Sequence, residues 1–163
     1  MAGLTTIEEK LAEVIGLAQA AQGATEKVEG LLDDDEIAGK LQKMREEATE
    51  TERRGTELAD AREGKKTAIL DKAQETKTEA AEMMQTYLGG EDVEGLDGFE
   101  FLTMAEAGEV GHWRVLGKLN EKAGESEIAE LVEWALPIQE RHFSEVNDCA
   151  LELAGEEDPY EES

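Results

Sequence analysis

The chain reads as an all-α protein, an antiparallel bundle of long helices, and three observations predict it. Apolar residues recur at alternating steps of three and four along most of the 163 residues, the spacing that gives a helix one continuous seam. Only two prolines occur, Pro137 and Pro159, so little interrupts long helices. Aromatic residues are 4% of the chain and hydrophobic residues 39%, so the core must be built from Leu, Ile, Val, Met and Ala, which suits interlocking helices better than a sheet.

The length predicts one domain over residues 1–154, followed by an acidic disordered tail at 155–163. The first helix is expected over 5–32. Thr5 or Thr6 caps it, Glu8 and Glu9 fill its first turn, and Ile7, Leu11, Val14, Ala18, Ala21, Thr25, Val28 and Leu32 form its seam. The run Asp33-Asp34-Asp35 breaks that helix and caps the second, expected over 35–63, with Ile37, Leu41, Met44, Ala48, Thr51, Gly55 and Leu58 on one face. A third stretch, 67–88, carries Ile69, Ala73, Thr76, Ala80, Met83 and Tyr87 on one face, and the Gly-rich acidic segment to Gly98 reads as a loop.

The fourth helix is expected over 99–123, with the seam Leu102, Ala105, Glu109, His112, Leu116, Leu119 and Ala123, and Gly124 as its C-terminal cap. Ser126 is the expected cap of the last helix, 126–154, whose seam is Ile128, Leu131, Ala135, Ile138, His142, Glu145 and Cys149, with a kink at Pro137. Short breaks make the first two helices antiparallel, and likewise the last two. The third stretch, about 22 residues or roughly 33 Å as helix, is long enough to return the chain to the other end of the bundle. The prediction is an antiparallel four-helix bundle with a long helical crossover between the second and third bundle helices.

Forty-one acidic residues against 16 basic ones give a net charge of −25. That excludes the cationic footprint of a nucleic-acid binder and disfavours anionic membranes. Such a field suits solubility, and it also draws metal cations. Cys149 is alone, which fits a reducing compartment, and no export leader or uncharged span long enough for a membrane is visible; the expectation is a cytoplasmic protein.

The informative defect lies in the last two seams. Glu109, His112, His142 and Glu145 stand where apolar residues belong, and the chain has only two histidines. A buried carboxylate or imidazole costs several kcal/mol unless it is paired, protonated or bound to a metal. Counting outward from Gly124 brings Glu106 level with His142, and Glu109 level with Gln139 and Glu140. Carboxylates with imidazoles are a ligand set for iron, manganese or zinc. The competing reading of each residue is a solvated helix flank or an internal Glu–His hydrogen bond. Trp113 and Trp134 read as packing anchors and Cys149 as an inert core thiol. No nucleophile constellation or phosphate-binding glycine loop is present.

The stretch Met104-Ala-Glu106-Ala-Gly-Glu109-Val-Gly-His112-Trp-Arg-Val-Leu116, followed by Gln139-Glu140-Arg-His142, resembles the second half of a ferritin-like protein of the rubrerythrin or YciF-type stress-associated kind. The resemblance implies metal ligands, with iron as a di-iron centre and manganese or zinc as alternatives. Glu106-x-x-Glu109 matches the third bundle helix of that pattern. His112, Glu140 and His142 complete the candidates on the last two helices, Glu47-x-x-Glu50 stands at the second, and Glu9 or Glu13 at the first. The chain departs from the family in having no histidine on the second helix and Gln139-x-x-His142 where Glu-x-x-His is standard. The resemblance implies an oxidase or ferroxidase activity in oxidative stress, with metal ions as ligands and a homodimer as assembly. The alternative is a metal-free helical protein of stress protection or protein interaction, its polar seam closed by Glu–His pairs.

Overall fold

The computed structural model describes residues 3–162. Five helices follow one another: α1 (Thr6–Glu29), α2 (Asp35–Asp60), α3 (Lys66–Leu88), α4 (Gly95–Ala123) and α5 (Ser126–Glu156), with no strand among the described residues. None of these helices is long and apolar enough to cross a membrane.

The helix starts follow local chemistry. Thr5 closes a capping box with Glu8 at α1, and Asp34 accepts from the Glu36 and Ile37 amides at α2. Glu94 and Asp97 make the box that starts α4 at Gly95, inside the segment expected to be loop. Gly124 ends α4 in the left-handed conformation, φ 67°, which favours glycine. Ser126 is already helical and Glu125 is the cap position of α5. The turn is held instead by Asn120, whose Oδ1 accepts from the Glu125 amide at 3.1 Å while its Nδ2 donates to the Glu125 carbonyl at 2.9 Å. α5 continues through Pro137 to Glu156, two residues beyond its expected end.

Side-chain pairs give the directions. Glu8 meets Arg62 and Glu29 meets Arg45, so α1 and α2 are antiparallel. Glu47 meets His142 and Arg62 meets Glu125, so α2 and α5 are antiparallel. Val28 lies against Gly98 and Glu13 near His112, so α1 and α4 are antiparallel. α4 and α5 are packed along their lengths across the two-residue turn. α3 lies mainly along α1 and runs the same way, with Lys65 at Glu8 and Ala73 at Gly16.

The apolar interior is divided in two. One cluster holds Leu11, Ile15, Ile69, Trp113, Leu116 and Leu131; the other, toward the α1–α2 turn, holds Val28, Leu41, Met44, Phe99, Leu102 and Val146. Between them the buried residues include five polar ones: Thr51, Glu106, Glu109, Gln139 and His142.

The α2 seam is buried as its spacing predicts, from Ile37 to Gly55, with Ala59 ending it in place of Leu58. On α4 the buried line is Leu102, Glu106, Glu109, Trp113, Leu116 and Asn120. It keeps the same alternation with threes and fours exchanged, which seats Trp113 rather than His112 inside. On α5, Ala135 is followed by Gln139, and Val146 is buried in place of Glu145. At His112/Trp113 and Glu145/Val146 the larger apolar group goes inward, as area burial favours, whereas at Ala105/Glu106, Leu119/Asn120 and Ile138/Gln139 a polar group takes the inward place.

Candidate functional site

The polar layer is assembled from three helices. α4 presents Glu106 and Glu109, 2% and 5% exposed; α5 presents Gln139 and His142, each 1% exposed; α2 presents the half-buried Glu47. The i, i+3 spacing places each pair on one flank of its helix.

Glu47 is held by Arg141, which bonds both of its oxygens, and by His142 Nε2 at 3.1 Å. Burial works against its charge, but these two partners hold its carboxyl below the ordinary range. An ionised Glu47 can only accept, so the His142 proton sits on Nε2. Burial pushes the His142 imidazole down despite Glu47, so the ring is neutral near pH 7. Its bare Nδ1 faces Glu106 Oε2 at 3.9 Å, beyond hydrogen-bonding reach.

Glu106 and Glu109 have no cationic side chain against them. Burial raises the Glu106 carboxyl to about 7, although a hydrogen bond with Glu109 works the other way. Burial and then the nearby Glu106 push Glu109 well above its usual value. The two acids therefore retain a shared proton near neutrality. With its NH2 turned toward them, Gln139 donates to Glu106 Oε2 at 2.9 Å and to Glu109 Oε2 at 2.6 Å. A half-turn of that amide would present its carbonyl oxygen instead, a third oxygen donor at the same point.

The other sequence candidates lie elsewhere. His112 is half-exposed; its Nδ1 bonds the Gly108 carbonyl at 2.8 Å, and its Nε2 lies 3.6 Å from Glu13, which also holds Lys10. Glu50 pairs with Arg53 and Arg54 on the outer surface of α2. Glu140 is exposed and 3.4 Å from Arg114, and Glu9 is exposed. Sequence reasoning assigned no role to Arg141. The signal was its place directly before an inward histidine, on the flank that meets α2.

A ferritin-like two-metal set requires carboxylates that converge on shared ions. Among the described residues, no group of three or more His, Cys, Asp or Glu side chains is placed to hold a metal ion. The reason is geometric: Glu47 and Glu106 face opposite nitrogens of one imidazole ring, and those nitrogens point apart. Arg141 already neutralises Glu47. The residues present do not fit a carboxylate-bridged pair of metals. The oxygen donors present at this point are Glu106, Glu109 and the Gln139 carbonyl.

Beside these acids a cavity of about 590 Å³ opens between α1, α3 and α4, and Glu106, Glu109 and His112 line it. Compared with known proteins, the chain matches no family model, no curated protein and no solved structure.

Proposed function

We propose that the chain is a ferritin-like helical protein that binds a single metal cation, iron or manganese before zinc, at Glu106, Glu109 and Gln139. In this reading α1, α2, α4 and α5 are the four bundle helices and α3 is the crossover. Two relations support it: α1 and α5 each pack against both α2 and α4, and α3 leads from the Arg62 end of α2 to the Val28 end of α1, where α4 begins. The observation that carries the cation is the pair of fully buried acids with no cationic partner, facing a third potential oxygen donor at 2.6–2.9 Å. All-oxygen donors suit manganese(II) better than zinc, which prefers nitrogen and sulfur, and iron is named on the resemblance.

A bound iron would supply one-electron chemistry with oxygen or peroxide, which gives the oxidative-stress role that the resemblance implies. With a cation bound, Glu106 and Glu109 would hold it as carboxylates after giving up their shared proton, Gln139 would present its carbonyl oxygen, and His142 would stand behind Glu106 as a neutral acceptor. The test is metal analysis of protein purified without chelator, before and after addition of Fe(II). About one ion per chain is expected, lost in Glu109→Gln. Less than about half an ion after loading, unchanged in the variant, overturns the reading.

A metal-free stress or interaction protein is favoured by one specific observation: the layer closes on itself, through Arg141, Glu47 and His142 on one side and a shared proton with Gln139 on the other. On this reading Glu109→Gln leaves both metal content and fold unchanged.

A further inference from the structure

The exposed Met83, Tyr87 and Met104 form a scattered apolar fringe rather than a docking face, and Cys149 is buried within an apolar cluster. The Glu13–His112 pair is open to water and satisfied locally. The cavity is different. α3 is pinned at one end by Ile69 and Ala73 and at the other by Leu88 and the Tyr87–Phe101 ring contact at 5.9 Å. Between those pins it stands away from α1 and α4, leaving about 590 Å³, within the range of small-molecule sites.

The walls are apolar, including Leu17, Ala21, Ala81, Met84, Leu102 and Ala105. The lining also includes Gln22, Glu26, Arg45, Glu52, Lys77 and His112, with Arg45 paired to Glu29, and two further polar features are buried. The acid pair Glu106–Glu109 lies on the α4 wall, more than nine-tenths buried and without a cationic partner. On the α1 wall, Gln19 donates its amide to Glu52 at 3.0 Å, and its buried Oε1 has no hydrogen-bond partner. The buried polar groups of the lining are acceptors, and its carboxylates, Glu26, Glu52, Glu106 and Glu109, outnumber its cations, Arg45 and Lys77, so the cavity suits a ligand that brings donors and positive charge on an apolar body. A carboxylate or phosphate ligand would meet like charge, and a plain hydrocarbon would leave the acceptors as they are.

We infer that the cavity between α1, α3 and α4 binds an organic cation of the alkylammonium class, its ammonium group against Glu106 and Glu109 and its hydrocarbon along α1 and α3. The apolar walls are needed for this ligand and not for a bare metal ion, so the inference stands apart from the metal reading.

The probe is octylammonium, measured by titration calorimetry on the full chain with chelator present and at high salt, against octanol and octanoate of the same length. Octylammonium is expected to bind at least about tenfold more tightly than either. The double variant Glu106→Gln/Glu109→Gln removes the pair's charge, and Ala81→Trp fills the cavity from an exposed wall position where folding is not at stake; each is expected to weaken binding by about tenfold or more. Far-UV circular dichroism confirms that both variants are folded. Equal binding of octanol overturns the inference, because the site would then be merely apolar. So does octylammonium binding that survives Ala81→Trp, because the amine would then be held by the surface charge. Metal loading plays no part in these outcomes.

Discussion

α1 and α3 meet in two opposite ways along the same length of helix. At Gly16 they touch so closely that a Cβ there would lie 2.3 Å from the Ala73 carbonyl oxygen and 2.8 Å from Thr76 Cβ. One to two turns further on, from Ala20 to Glu26 against Lys77 to Met84, they border a cavity instead. The first contact is backbone against backbone and relies on a missing side chain. The second is lined by alanines that are too short to fill the gap left between α3's two anchor points. One pair of helices thus provides both a close backbone seam and the cavity beside the acid pair. The position of Gly16 separates the two.

The contrast can be broken most severely at Gly16. Gly16→Val forces α3 outward along its backbone, and an unfolding free energy lower by about 3 kcal/mol is expected in denaturant titration, overpacking outweighing the helix propensity gained over glycine. A stability equal to the parent's would mean that the crossing is loose.

Next in size is the electrostatic clamp at the same end of α1. Glu8 is 4% exposed and takes Arg62 and Lys65, both at 3.2 Å. Burial alone would raise its carboxyl, but the Thr5 amide, Lys65 and Arg62 hold it at about 2. A depressed folded value means that the stabilisation is complete above the ordinary value of 4.5 and disappears as pH falls toward 2. Glu8→Gln is therefore expected to cost about 2 kcal/mol at pH 7, with the difference from the parent closing in acid. A difference independent of pH would remove the charge from the explanation.

The smallest effect has the opposite sign and sharpens the cavity side of the comparison. Glu109 is raised by burial and by Glu106, so the folded chain withholds ionisation that the unfolded chain gains freely. The resulting destabilisation is absent below the ordinary value of 4.5 and grows as pH rises above it, until the folded group ionises. In chelator, Glu109→Gln is expected to raise stability by about 1 kcal/mol at pH 8 and to be neutral at pH 4. A loss of stability at pH 8 would show that the acid makes a contact that glutamine cannot reproduce.

Much of the fold was legible in spacing alone. The α2 seam fell where its fours and threes put it, since a uniformly apolar line has one favourable face. The α4 and α5 seams were less legible because 3.6 residues per turn leaves every step open to either three or four. At His112 or Trp113 and at Glu145 or Val146 the chain offers both choices side by side, and packing against the neighbouring helices selects the second. The candidate site divides along the same line. Glu106, Glu109 and His142 keep inward places under the observed phase, His112 loses its place, and Gln139 gains one.

By itself the sequence determined that this is a helical protein, where most of its helices begin and end, and that acids and an imidazole would interrupt its last two seams. Those are consequences of local propensity, capping and periodicity, which act within a few residues. Only the tertiary structure decided that Arg141 neutralises Glu47, that one imidazole ring stands between Glu47 and Glu106, and that α3 leaves a cavity beside the acid pair. Each of these depends on the relative placement of two or more helices to within an ångström or so. Spacing along a single chain carries no measure of that distance.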